Sequence, residues 1–111
     1  KVSLSPAMLM ELLIKGMTNK EAVCGDEKSP LPLSDWRGVF IDDEGDIFDI
    51  DFSLCYVGGK IALEWLPLTV QTLVLSGNTF GGTLELSCLP NSLVTFDVED
   101  NLFDGPISLD S

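Results

Sequence analysis

The stretch LVLSGNTFGGTLEL, residues 73–86, packs its apolar residues too closely for one amphipathic helix and follows them with Asn, Thr and two glycines. Leu73 and Leu75 alternate with Val74 and Ser76, the two-residue period of a short strand with one buried side. Sliding the chain against itself by 23 residues superimposes Leu66, Val70, Leu73, Leu75, Asn78, Phe80, Gly82, Leu84 and Leu86 on Leu89, Leu93, Phe96, Val98, Asn101, Phe103, Gly105, Ile107 and Leu109. The same shift backward reaches Ile47, Ile50, Phe52, Cys55, Val57, Gly59, Ile61 and Leu63. The stretch is therefore one unit of a repeat, whose copies IFDIDFSLCYVGGKIAL, VQTLVLSGNTFGGTLEL and LVTFDVEDNLFDGPISL cover residues 47–109.

Within each unit the alternating pair turns inward from a strand, and successive strands stack into a parallel sheet. Asn78 and Asn101 follow the strand, where an amide side chain can serve backbone groups that the turning chain would leave unpaired. Cys55 fills the same position as a small, mostly apolar residue with a weak donor, which gives it a structural role rather than a redox or catalytic one. Phe80 and Phe103 fill the space beneath the turn, with Val57 as the smaller counterpart, and each ring stabilises the stack by a few kcal/mol. The segments KIAL, TLEL and PISL alternate again, which predicts a second narrow sheet with Ile61/Leu63, Leu84/Leu86 and Ile107/Leu109 facing in. Pro67 and Pro90 suit an irregular or single-turn helical outer side.

A period between 20 and 29 residues built on L-x-x-L-x-L-x-x-N/C-x-L resembles the leucine-rich repeat. The copies look most like the LxGxI-type repeats of plant extracellular leucine-rich domains, and the recurring LP dipeptide resembles repeats of kinetoplastid leucine-rich proteins. The resemblance implies a leucine-rich repeat solenoid: a helical N-terminal cap, then about three 23-residue coils with a short parallel sheet on the concave face. It also implies interaction rather than catalysis.

Residues 1–46 read as the helical cap and its opening strand, and residues 47–111 as the repeats, in one structural domain. Ser5 and Pro6 start a helix over about 6–15, and Thr18 with Glu21 forms a capping box for a second over about 19–24. WRGVFIDDEGDI predicts a strand, a tight turn around DDEG and a return into the first copy. Plant leucine-rich domains open with W-x-G-V-x-C; Trp36, Gly38 and Val39 match, while Phe40 replaces the cysteine and removes the disulfide implied there. Trp36 is read as a core aromatic of the cap. At NLFDGPISLDS either Asp110 and the carboxylate shield a small end, or further protein or a second chain is expected against Phe96, Val98, Phe103, Ile107 and Leu109.

Eighteen acidic residues against six basic ones give a net charge of -12, which repels nucleic acid and anionic lipid. No stretch approaches the roughly 20 apolar residues that span a bilayer. The expected partners therefore exclude nucleic acid and membrane insertion. Cys24, Cys55 and Cys88 are an odd count without zinc-site spacing. A reducing compartment is favoured, with secretion still open because the chain begins at Lys1. The absence of histidine removes Ser-His-Asp and Cys-His chemistry and histidine metal centres. The carboxylates Asp42, Asp43, Glu44 and Asp46 do not follow the calcium-loop spacing and read as a solvated turn. No catalytic, cofactor or metal residue is assigned, and the chain is read as not an enzyme.

Nine outward strand positions form a small grid: Asp49, Asp51 and Ser53 in the first copy, Thr72, Val74 and Ser76 in the second, and Thr95, Asp97 and Glu99 in the third. Asp100 and Asp104 extend its negative rim. A neutral middle column between charged ones suits a basic protein segment with an apolar or hydroxyl-bearing centre. The expected function is a protein-protein interaction module using this acidic face, and its open C-terminal end toward another leucine-rich chain or module. The alternative is an architectural or capping part of a larger surface or assembly protein without a dedicated ligand.

Overall fold

The computed structural model describes residues 4–26, 28–84 and 86–104. Ser5 Oγ accepts the Met8 N–H at 3.2 Å and Pro6 takes the first turn, so helix α1 spans Pro6–Ile14 and buries Met10, Leu13 and Ile14. A short helix α2, Glu21–Cys24, buries Val23 and Cys24. Its N-cap is Lys20 without a side-chain cap bond, so the Thr18/Glu21 capping box is not formed. Thr18 instead lies in strand β1, Met17–Thr18, whose pairing partner is far along the chain.

Two four-stranded sheets follow among the described residues. The first joins β2 (Val39–Ile41), β3 (Ile47–Asp51), β5 (Thr72–Val74) and β7 (Thr95–Asp97) in that order. The second joins β1, β4 (Gly58–Gly59), β6 (Thr79–Thr83) and β8 (Leu102–Asp104). In the first sheet Ile50, Leu73 and Phe96 are hydrogen-bonded neighbours in parallel strands, one repeat apart. The sheet is nevertheless mixed, because β2 pairs antiparallel with β3 as a hairpin. In the second sheet β1 is antiparallel to β4, and the parallel partners Gly59↔Phe80 and Gly82↔Phe103 lie 21 residues apart, a stagger of two against the repeat.

The core runs between the sheets and into the cap. Ile50, Phe52, Val57, Val70, Leu73, Leu75 and Phe80 are fully buried, continuous with Met10, Leu13, Val23 and Trp36. Phe80 and Phe103 stack with centroids 6.3 Å apart and planes 6° from parallel, so equivalent rings of successive copies touch. Trp36 is buried and its Nε1–H donates to the Leu31 carbonyl at 2.7 Å, which leaves its polar end satisfied inside the cap.

The second sheet occupies a different stretch from the one its side-chain alternation suggests. It forms on the glycine-bearing segments 58–59 and 79–83, while Leu63–Trp65 and Leu86–Cys88 wind into single 3-10 turns. Backbones can pair as soon as the chain has passed the polar turn, and glycines there admit close approach. The apolar pairs then fall where the chain doubles back: Leu63 and Leu84 are buried, Ile61 and Leu86 half-buried. Ile107 and Leu109 lie outside the described residues.

Gly38 fixes how closely the hairpin meets the first copy. Its φ is 78°, and a Cβ there would run into the carbonyl oxygen of Asp51, which lies across the pair. Gly38→Ala is expected to lower unfolding free energy by about 2 kcal/mol or more, measured by urea denaturation. A loss below about 0.5 kcal/mol, the range of an ordinary surface change, would contradict this approach.

Candidate protein-interaction face

Strand register places the nine outward residues in rows. Asp49, Thr72 and Thr95 are successive partners across the first sheet, as are Asp51, Val74 and Asp97. Ser53, Ser76 and Glu99 continue the face beyond the strands, because the Leu54 N–H donates to the Ser76 carbonyl and the Gly77 N–H to that of Glu99, both at 3.1 Å. Asp51, Thr95 and Glu99 are exposed; the other six are half-buried. With strands about 4.8 Å apart, Asp51 and Asp97 flank Val74 at about 10 Å from each other. The hairpin adds a residue that sequence reasoning passed over: Phe40 pairs with Asp49 and is 51% exposed, so an aromatic ring extends the first row.

The acids differ in what they already do. Asp51 accepts the Ser53 N–H at 3.0 Å and the Ser53 hydroxyl at 2.6 Å, and Asp97 accepts the Glu99 N–H at 3.1 Å. Both carboxylates therefore cap the turn after their strand, a local bond that Asp forms readily. Burial raises the Asp49 pKa above its ordinary value, and the charge of Asp51 raises it further. The Asp104 side chain lies outside the described residues.

Behind the face sit the polar repeat positions. Buried Asn78 accepts the N–H groups of Cys55 at 3.0 Å and Val57 at 3.4 Å, and donates to the carbonyls of Phe52, Leu75 and Ser76 at 2.7, 3.0 and 3.3 Å. Asn101 accepts the Phe80 N–H at 3.0 Å and donates to the carbonyls of Leu75, Val98 and Glu99. Cys55, in the first copy, is buried, and its thiol donates to the Ser53 carbonyl at 3.4 Å. Burial raises its pKa, opposed by nearby Arg37, so the thiol stays protonated at neutral pH. Burial likewise raises Cys24.

A second polar repeat was not read from the sequence. Thr69 Oγ1 donates to the Ile47 carbonyl at 2.6 Å, and Ser92 Oγ, one repeat later, to the Val70 carbonyl at 2.6 Å. Hydroxyls at a shared offset were the available signal. The carboxylate run forms a turn in which Asp42 accepts the N–H groups of Glu44 and Asp46 at 2.9 and 3.0 Å. Among the described residues no three His, Cys, Asp or Glu side chains converge to hold a metal ion. A depression of about 340 Å³ on the cap, lined by Met8, Leu12, Lys15, Lys20 and Pro30 among others, shares no residue with the sheet face.

Solved structures share the fold. The chain superposes on the BIR2 ectodomain from Arabidopsis thaliana with a TM-score of 0.72 and 20% identity, covering 89% of this chain and 56% of that one. The chain has a leucine-rich-repeat-like fold. A chain of the BIR3–SERK2 complex from the same plant gives 0.68 and 22%, covering 87% and 56%. One of the PEPR1–AtPEP1 structure gives 0.53 and 18%, covering 88% and 18%. This chain thus spans about half the length of the first two. No family model and no curated protein matches the sequence.

The raised pKa of Asp49 has a signed consequence. Its ionised form destabilises the fold, so its contribution is most favourable below the ordinary carboxylate range and is lost as pH rises through the raised folded value. Asp49→Asn should therefore be more stable than the parent at about pH 7, with the advantage vanishing by about pH 3. Denaturation at both pH values checks this; an advantage independent of pH would contradict it.

Proposed function

We propose that the chain is a protein-interaction module, a short leucine-rich solenoid whose acidic concave sheet face receives a basic protein segment. The observation that carries the reading is the row Asp51–Val74–Asp97, two carboxylates held about 10 Å apart over an apolar centre. Such spacing matches two cationic side chains projecting from one face of an extended segment around an apolar or hydroxyl-bearing residue. Charge of this kind speeds encounter and selects partners more than it adds affinity. A net charge of -12 works in the same direction at longer range.

The similar solved structures support the reading by analogy of fold. Two of them are described as the BIR3–SERK2 complex and PEPR1–AtPEP1. Fold alone does not assign function, so the weight rests on the face itself. Half-buried Asp49 adds a proton-linked element. A partner cation beside it would favour its ionised form and lower its raised pKa, so binding should weaken on acidification through that range. In this reading the chain is not an enzyme and needs no cofactor, consistent with the lack of histidine and with cysteine thiols whose pKa burial raises.

The architectural reading draws on one observation: Asp51 and Asp97 already cap backbone N–H groups. The test must therefore remove charge while keeping the acceptor. A synthetic Lys-Val-Thr-Val-Lys peptide, blocked at both ends, is titrated calorimetrically into the parent and into an Asp51→Asn/Asp97→Asn variant at low salt. Saturable binding weakened about tenfold or more in the variant is expected, about 1.4 kcal/mol. Equal affinity for both proteins would remove the concave face from the interaction, and no binding to either would favour the architectural role.

A further inference from the structure

The hairpin gives the first sheet an edge that the repeats alone do not supply. Val39 and Ile50 are paired and both buried, so the next pair along, Phe40 and Asp49, stands on the opposite, open side of the sheet. Past that pair the register slips and Ile41 faces Ile47, which ends regular pairing. Across the parallel strands the same row continues from Asp49 to Thr72 and then Thr95. An aromatic ring, a carboxylate and a hydroxyl are thus neighbours on three adjacent strands, each about 4.8 Å from the next.

Asp49 differs from the other strand acids of the face. Asp51 and Asp97 each commit Oδ1 to a backbone N–H two residues on. Among the described residues Asp49 accepts no hydrogen bond and forms no ion pair, so both of its oxygens are open. It is half-buried all the same, and burial together with the charge of Asp51 penalises its ionised form. A cation brought beside it offsets that penalty. No lysine or arginine occurs in the four strands of this sheet. Phe40 is 51% exposed on the outermost strand, where polar or charged side chains are the usual occupants, and its ring adds nothing to the core.

We infer that Phe40, Asp49 and Thr72 form a recognition site for an arginine side chain of a partner protein. The inference rests on the interaction reading above and names the residue that the partner sets over this row. Two guanidinium N–H groups donate to the two open oxygens of Asp49, a third donates to the Thr72 hydroxyl, and the cationic plane lies against the exposed Phe40 ring. Two free oxygens favour the arginine fork over an ammonium, and a planar cation stacks on an aromatic face where a compact one does not. The Asp51–Val74–Asp97 row, about 7 Å further along the same strands, stays available for other cations of the same segment.

The test titrates isotope-labelled protein at low salt with a blocked Thr-Arg-Thr tripeptide, and with versions carrying lysine or citrulline in place of arginine, the latter similar in shape and uncharged. Saturable amide shifts at Phe40, Asp49 and Thr72 are expected, with lysine bound more weakly and citrulline about tenfold or more weaker than arginine. Asp49→Asn, expected above to be more stable than the parent near neutral pH, should weaken the arginine peptide about tenfold or more. Phe40→Leu keeps the apolar bulk and removes the ring, and should weaken it about threefold or more. Urea denaturation of each variant separates lost binding from lost folding. Shifts confined to the Asp51–Val74–Asp97 row, or unchanged affinity in either variant, would overturn this site and leave the face reading to its own calorimetric test. A lysine peptide bound as tightly as the arginine one would overturn the arginine assignment, and no saturable shift with any peptide would overturn the site itself.

Discussion

Each copy must cross from the first sheet to the second within a few residues, and some backbone groups of that crossing, among them the Cys55 and Val57 N–H groups and the Phe52 carbonyl, are buried without a strand partner. One buried amide closes the gap. Asn78 makes five hydrogen bonds, three of them to Phe52, Cys55 and Val57 of the preceding copy and two to its own turn. Leaving such groups unpaired inside the protein costs the full desolvation of each, commonly about 1–3 kcal/mol. The side chain therefore decides where the chain turns and also joins neighbouring copies. Asn101 repeats the arrangement toward Phe80 and Leu75. Cys55 has no earlier copy to serve, since the second-sheet strand of its copy, Gly58–Gly59, pairs with the cap strand Met17–Thr18, and a buried thiol bonded to the Ser53 carbonyl stands at this position.

Once that crossing is set, side-chain size does the rest. Ile50, Leu73 and Phe96 lie side by side in one sheet, and the Phe80 and Phe103 rings meet beneath the other. Thr69 and Ser92 tie the outer turns to the carbonyls of Ile47 and Val70 in the preceding copy. Every link joins one copy to the next, so local errors would propagate along the stack rather than across a single core. The cap enters by the same rule, with the hairpin closing one sheet and the Met17–Thr18 strand closing the other.

Much of this was legible because period and burial coincide. The 23-residue offset identified the inward leucines and phenylalanines, and Ser5 followed by Pro6 marked the first helix. The second sheet was misplaced because KIAL and TLEL alternate like strands, yet a 3-10 turn with two inward residues produces the same pattern. TFGGT carries too few side chains to show that it pairs. Thr18 and Glu21 have capping-box spacing, but pairing with Gly58 and Gly59 overrode that local preference. For the face, register followed from the repeat; that Asp51 and Asp97 bond to backbone two residues on did not. Nor did left-handed backbone at Leu54 and Tyr56, since neither residue type favours it.

The most direct measurement of the amide's role is Asn78→Ala, followed by equilibrium unfolding and by hydrogen exchange at Cys55 and Val57. Removal leaves two N–H groups and the carbonyls of Phe52 and Leu75 without this partner. The expected result is a loss of about 3 kcal/mol or more, with protection at both amides falling further than at Leu73. A loss under about 1 kcal/mol with unchanged protection at Cys55 would contradict the view that this side chain holds successive copies together.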